Sequence, residues 1–303
     1  MSDSRYPPPL SAKDPNSFAY PTMKDRVPVI LSKVVDHLSR HRDKIVGEAG
    51  EAGREELKSI IGSLSQLRYE VMTNKAAAPL RDSLRKRQDS GDELKWFDSA
   101  WLWMECYLYR RVYEASQMSS LLKNLDVFAD QKQTAFLNSY KPISTLTMYL
   151  LEASHALTQA APETELSRYF SEFLQMSLWG NKCDLSISAG SENSQVNCPL
   201  EQLTKLKPFI LIDDSHQIFQ SLSNTKLHGQ AGLVDIILDN AGFELVTDLC
   251  FADFLITSGL ASKVRFYPKT FPWFVSDVTP EDFHWTLKQL GSMNQAWKRG
   301  QAD

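Results

Sequence analysis

The chain has 303 residues, 43% of them hydrophobic and 23% charged, with a formal net charge of −4. Such a composition can bury a substantial core, as one large domain or two ordinary ones. The acidic balance argues against a general nucleic-acid binder, which would present a basic face, and no run approaches the roughly 18 apolar residues of a membrane span.

In chain order, the first stretch is MSDSRYPPPLSAKDPNS, polar and proline-rich. It lacks the apolar segment of a signal peptide and is expected to be flexible up to about Phe18. Val27, Ile30, Leu31, Val34, Val35 and Leu38 then recur at helical spacing, with Pro28 in the first turn and Asp25 as the expected N-cap. Leu57, Ile60, Ile61, Leu64, Leu67 and Val71 form a second apolar stripe. The highly charged run RDSLRKRQDSGDE at 81–93 intersperses acids with bases, so it reads as a solvated helix end and loop. An aromatic-rich helix is predicted over 99–115, and two more over 143–160 and 164–178.

After about residue 180 the pattern changes. SISAGSENSQVN (186–197) is a polar loop, and PFILID (208–213), LVDIILD (233–239) and KVRFY (263–267) have strand character. Helical stretches at 215–223 and 242–257 lie between them. Thr279-Pro280-Glu281-Asp282 combines a threonine cap, a proline at the first helical position and first-turn acids, which predicts a helix over 280–297. Alternating strands and helices imply an α/β fold with a parallel sheet. The four cysteines form no C-x-x-C pair and are expected as free thiols in a reducing intracellular compartment, the cytoplasm first, with the nucleus compatible.

Ligands of open α/β sheets bind beyond the carboxyl ends of strands. Asp239 and Asn240 stand at such an end, just before Gly242 and a helix, and Asp277 precedes the next helix start. Two carboxylates and a carboxamide are oxygen ligands, suited to a hard divalent cation. They also balance its charge without a surplus that would repel phosphate. Backbone N–H groups near Gly242 would add anion affinity. The same residues also read as ordinary punctuation, with Asn240 capping the helix and Asp277 in a turn, and spacing leaves both readings open. The turn LWGNKCDLS (178–186) offers Asn181, Lys182 and Asp184 beside Gly180, and Lys269 is a candidate phosphate contact, although the same residues also read as a helix-ending turn and an ordinary surface lysine. His37 and His41, one helical turn apart beside two arginines, read as a solvated edge. There is no G-x-S-x-G, P-loop or dinucleotide fingerprint.

Five blocks carry a family resemblance: FAYPTMKDRVPVIL (18–31), ECYLYRRVYEA (105–115), SLWGNKCDLSIS (177–188), ILDNAGFELVTDL (237–249) and FYPKTFPWFVSDVTPEDFHW (266–285). In this order they resemble the acidic-residue methyltransferase family, also described as metal-dependent damage-control phosphatases. The resemblance implies a flexible N-terminus (1–17), then a helical region (18–178) packed on a three-layer α/β/α metal-binding domain (179–303). It implies Mn²⁺ or Ni²⁺, with Co²⁺ as a further candidate, held by Asp239, Asn240 and Asp277, which would then also be the catalytic residues. Asp239 and Asn240 would contact substrate too, with Asn181, Asp184 and Lys269 around them. Small phosphorylated metabolites such as fructose 1-phosphate and fructose 6-phosphate are the substrates it implies.

The same family is described as transferring methyl groups from S-adenosylmethionine to protein carboxylates, which would make a protein the substrate. Members continue past the equivalent of Trp285 through K-G-D-L-N-Y-R and R-T-x-K segments that are absent here. The sandwich is therefore expected to be incomplete at its C-terminal side, and a catalytically impaired binding or regulatory form stands as an alternative to the enzyme.

Overall fold

The computed structural model describes residues 7–81, 94–159, 162–183, 199–229 and 232–300. They fall into two compact units, one of residues 1–128 with 271–274 and the other of residues 129–270 with 275–303. The division expected at residue 179 lies inside the second unit. Most of the charged run at 81–93, all of the loop at 186–197, and Asp184 lie outside the described residues.

The first unit is helical. A short α1 (Ala19–Pro21) runs through a π-helical turn, Thr22–Arg26, into α2 (Val27–Arg40), and α3 (Arg42–Val46) and α4 (Gly50–Met72) follow. Asp25 does not cap α2, because the backbone is already helical there and the N-cap position is Arg26, without a side-chain bond. The wider turn is what admits Pro28, whose ring would otherwise press on the preceding turn of an unbroken α-helix. The predicted stripes meet: Leu31, Val34 and Leu38 of α2, and Leu57, Ile60, Leu64 and Val71 of α4, are all buried.

Helix α5 (Trp101–Gln117) adds Met104, Leu108 and Val112 to the buried apolar residues of this unit. It also carries a buried ion network, in which the Arg111 guanidinium lies 3.4 Å from Glu70 and 3.5 Å from Glu114 and donates to the Tyr107 hydroxyl at 3.2 Å. The N-terminal stretch is tied down from Leu10 onward, contrary to the expected flexibility. Trp101 donates its N–H to the Leu10 carbonyl at 2.8 Å, and the Ser11 hydroxyl donates to the Phe97 carbonyl at 2.8 Å. Residues 271–274 belong to this unit through rings: Phe271 stacks on Tyr113 at 4.4 Å, and Phe274 lies 5.0 Å from Tyr109.

The second unit starts with α6 (Ala129–Asn138), a helix with no strong apolar stripe, followed by α7 (Tyr140–Thr158), α8 (Glu163–Trp179), α9 (Pro199–Leu206) and α10 (Ser215–Leu227). Strand β1 (Leu233–Ile237), helix α11 (Phe243–Thr257) and strand β2 (Lys263–Tyr267) then form a βαβ unit, and α12 (Pro280–Gly300) closes the described chain. The strands pair in parallel, from Leu233 opposite Lys263 to Ile237 opposite Tyr267. This is the α/β arrangement expected, mostly helical around a small sheet that has two strands among the described residues.

Helix α11 is apolar almost all round and buried nearly throughout, as befits a helix enclosed on every side. Phe243, Val246, Cys250, Phe251, Phe254 and Leu255 form one core with Phe170, Phe173 and Phe219. Burial holds the Cys250 thiol far above its usual range, at about 12.

One expectation fails here. PFILID is no strand: Lys207–Phe209 is a 3₁₀ turn, and Leu211 and Ile212 beyond it are exposed. No strand pairs with this segment among the described residues, and an apolar run without a ladder partner cannot be a strand. LVDIILD is buried on one face only. Val234 and Ile236 pack inward, while Leu233 and Ile237 are exposed on the face where Asp235 pairs with Arg265. No helix among the described residues is long and apolar enough to cross a membrane.

Candidate metal centre

The chain leaves β1 at Leu238 and turns through Asp239, Asn240 and Ala241 to Gly242, the N-cap of α11. Gly242 has φ 83° and ψ −134°, a conformation open to glycine and strained for other residues. No side chain caps α11, so Asn240 is not the cap that one sequence reading made it.

Asp277 is brought alongside by a short antiparallel bridge with Asn240. Around it, Ala241 donates to the Ser276 carbonyl at 2.7 Å, Val278 to the Asp239 carbonyl at 2.8 Å, and Lys269 to the Val278 carbonyl at 2.8 Å. Just before Asp277 in this loop, Phe274 and Val275 have φ of 46° and 71°. Consecutive left-handed residues, one of them β-branched, are costly and recur at functional sites.

Side chains complete the cluster. The Lys269 ammonium donates to the Leu238 carbonyl at 2.9 Å and lies 3.2 Å from the Asp277 carboxylate and 3.6 Å from that of Asp239. The Asn240 amide donates to Asp239 at 3.1 Å and to Glu244 at 2.8 Å, while its carbonyl accepts from the Ser276 hydroxyl at 2.5 Å. Asp239 is largely exposed, whereas Asn240, Glu244 and Asp277 are buried, so the group has one open side.

Burial pushes the Glu244 carboxyl up to about 7, with the charges of Asp239 and Asp248 adding to it. Burial also lifts Asp248 and Asp277 to about 6, although Lys269 draws Asp277 down. Asp248 accepts a hydrogen bond from Ser177 at 2.5 Å.

The turn carrying Asn181 also reaches α11. A Cβ on Gly180 would lie 2.7 Å from the Thr247 hydroxyl and 2.9 Å from the Glu244 backbone, so only glycine permits this approach. Asn181 is half-buried in the 3₁₀ turn Gly180–Cys183 that follows. Lys182 is directed elsewhere, over the rings of Trp179 at 5.7 Å and Phe209 at 5.3 Å.

The structure thus brings together Asp239, Asn240, Asp277 and Lys269, and sets the Asn181 turn against the first turns of α11. Glu244, Asp248 and Ser276 escaped the sequence reading. Glu244 had a usable signal, because it lies one helical turn beyond Asn240 across Gly242. Asp248 and Ser276 had none.

The donor set fits a hard divalent cation. Asp239 and Asp277 already converge on one positive group, the Lys269 ammonium, and the buried Asn240 carboxamide beside them carries a neutral oxygen, which here accepts from the Ser276 hydroxyl. Among the described residues no cluster of three His, Cys, Asp or Glu side chains is placed to hold a metal.

Oxygen donors at the carboxyl end of a parallel strand, beside the start of a helix and a lysine, are the kind of arrangement that metal-dependent phosphoryl-transfer enzymes use. The damage-control phosphatase ARMT1-like domain matches residues 22–302. A damage-control phosphatase ARMT1 of Danio rerio is 46% identical over 96% of this chain and 68% of its own length, and that of Homo sapiens is 43% identical over 96% and 70%. The chain belongs to the ARMT1-like damage-control phosphatase family, and by resemblance to these relatives it is a phosphomonoester hydrolase.

Proposed function

We propose that the chain hydrolyses small phosphorylated metabolites, sugar phosphates such as fructose 1-phosphate and fructose 6-phosphate among them, with Mn²⁺ or Ni²⁺ (Co²⁺ as a substitute) at Asp239, Asn240 and Asp277. The observation that carries this reading is the convergence of the two carboxylates on the Lys269 ammonium beside a buried carboxamide.

When bound, the divalent ion supplies Lewis-acid polarisation of a phosphoryl oxygen. The chain's own residues do the rest. Asp239 and Asp277 hold the ion, and two negative charges against two positive ones leave the site neutral toward an incoming phosphate. Lys269 adds a positive charge at the same opening and is the phosphate contact. Asn240 stays neutral and orders Asp239 through its amide. Glu244 and Asp248, their carboxyls shifted toward neutrality by burial, add less negative charge than two ordinary acids would. The free N–H groups of the first turn of α11 favour an anion at the same end. Asn181, on the turn set against α11, is placed to order the substrate at its edge.

The test is phosphate release from fructose 1-phosphate and fructose 6-phosphate by the 303-residue chain, with and without Mn²⁺, Ni²⁺ or Co²⁺. Release should depend on the ion and drop at least ~100-fold in Asp239→Ala, since metal-catalysed chemistry rests on that ligand. Full activity in Asp239→Ala would show that the site has been misplaced.

A further inference from the structure

Lys132 on α6 is buried, with only 4% of its surface exposed. Lysine is among the residues least often buried, since its ammonium loses hydration and must be compensated by partners. Its Nζ pairs with the Asp282 carboxylate and donates to the backbone carbonyl of Asp277 at 3.4 Å.

Asp282 occupies the third position of α12 and forms a capping box. Its carboxylate accepts the Thr279 N–H at 2.8 Å and the Thr279 hydroxyl at 2.7 Å, and the Thr279 hydroxyl oxygen accepts the Asp282 N–H at 3.3 Å. A capping box is complete without a lysine. The added ammonium spans from the cap to the residue that carries the inner carboxylate of the metal centre.

Asp277 is consequently held from two directions. On one side it is bridged to Asn240, with Val278 bonded to Asp239. On the other, its carbonyl is held by α6, a helix 145 residues earlier in the chain. Groups that orient a metal ligand from behind typically change metal affinity 10–100-fold when removed.

We propose that Lys132 is a positioning residue for the metal centre, fixing the peptide of Asp277 so that its carboxylate meets Asp239 and Asn240. This rests on the reading of those three residues as the cation site. The competing role is simple neutralisation of Asp282, and the two roles separate in a double variant. Lys132→Met with Asp282→Asn removes both buried charges, leaves no unpaired ion, and keeps an oxygen to accept from Thr279.

Mn²⁺ binding is measured by calorimetry on the wild-type chain, on Lys132→Met/Asp282→Asn and on Asp239→Ala, with urea unfolding recorded for each. The expected result is a folded double variant that binds Mn²⁺ at least ~10-fold more weakly than wild type. Wild-type affinity in the double variant would overturn the proposal, because neutralisation would then be all that Lys132 does. A double variant that does not fold would overturn it too, since Lys132 would be holding the unit together rather than aiming a ligand. Wild-type protein that binds no Mn²⁺ would remove the cation site itself, and this inference with it. Binding that is lost in Asp239→Ala but unchanged in the double variant would leave the site standing and reject Lys132 alone.

Discussion

In the first unit Glu70 and Glu114 lie buried around one guanidinium, that of Arg111, which reaches both and the Tyr107 hydroxyl as well. In the second, Glu244 and Asp248 are buried with an amide and a hydroxyl for partners, and Asp277 with a lysine at the open edge. Both clusters pay a desolvation cost, but in the first a guanidinium is fixed between the two acids, whereas Glu244 and Asp248 are met by a neutral amide and a neutral hydroxyl. The second keeps negative charge in reserve, and its three carboxyls rise to about 7, 6 and 6. A cluster held for stability is closed upon itself, while one held for a ligand is left electrically unfinished.

Substitution of the shared cation should break the comparison most severely. Arg111→Met removes the cation that Glu70 and Glu114 share, leaving Arg81 3.7 Å from Glu114, and up to about 3–5 kcal/mol of stability should be lost from the first unit, read from its urea midpoint.

A smaller effect comes from pH. Glu244, Asp248 and Asp277 bind their protons more tightly when folded than when unfolded, so their contribution to stability is complete below about pH 4. It is lost as pH rises through 6 and 7. In buffer free of divalent ions the second unit should therefore melt lower at pH 8 than at pH 5, by a few kcal/mol at ~1.4 kcal/mol per pKa unit. Mn²⁺ should restore stability at pH 8 and do little at pH 5, where protons compete for the ligands. Equal protection at both values would show that these acids do not respond to the ion.

Gly180→Ala forces a methyl against the Glu244 backbone and should cost about 1–3 kcal/mol, with weaker Mn²⁺ binding, measured by thermal unfolding and calorimetry. The mildest change is Asp235→Asn. Its carboxylate meets Arg265 at 2.5 and 2.6 Å on the exposed face of the sheet, yet exposed pairs contribute little. The melting midpoint should not move measurably.

Where the sequence could be read, it was read through local signals. The stripes of α2 and α4, the strand of β2 and the Thr279 capping box each depend on residues within a turn or two of one another. Asp239 and Asn240 were visible because a strand ends on them, and Asp277 because a helix signal follows it. What stayed hidden depends on distance along the chain. Lys132 lies on α6, a weakly patterned helix for which no expectation was formed, and its partners lie about 145 residues away, while Ser177 has no evident tie to Asp248, 71 residues away. PFILID misled for a related reason: strand propensity requires a partner, and the partner is not written in the segment. At Pro28 the signal itself was sound, but a π-helical turn absorbed the proline where a cap was expected.

Asn240 has a consequence for the chemical ageing of the protein. Its amide nitrogen donates to two carboxylates at once, Asp239 and Glu244. Hydrolysis of that amide to aspartate releases ammonia, replaces the nitrogen with oxygen and leaves the shape of the side chain almost unchanged. Two attractions would become two repulsions, and the cradle would gain a third negative charge beside its acids. A stored preparation would then lose activity with a mass gain of about one dalton and no visible unfolding, while the damage sat on a single atom.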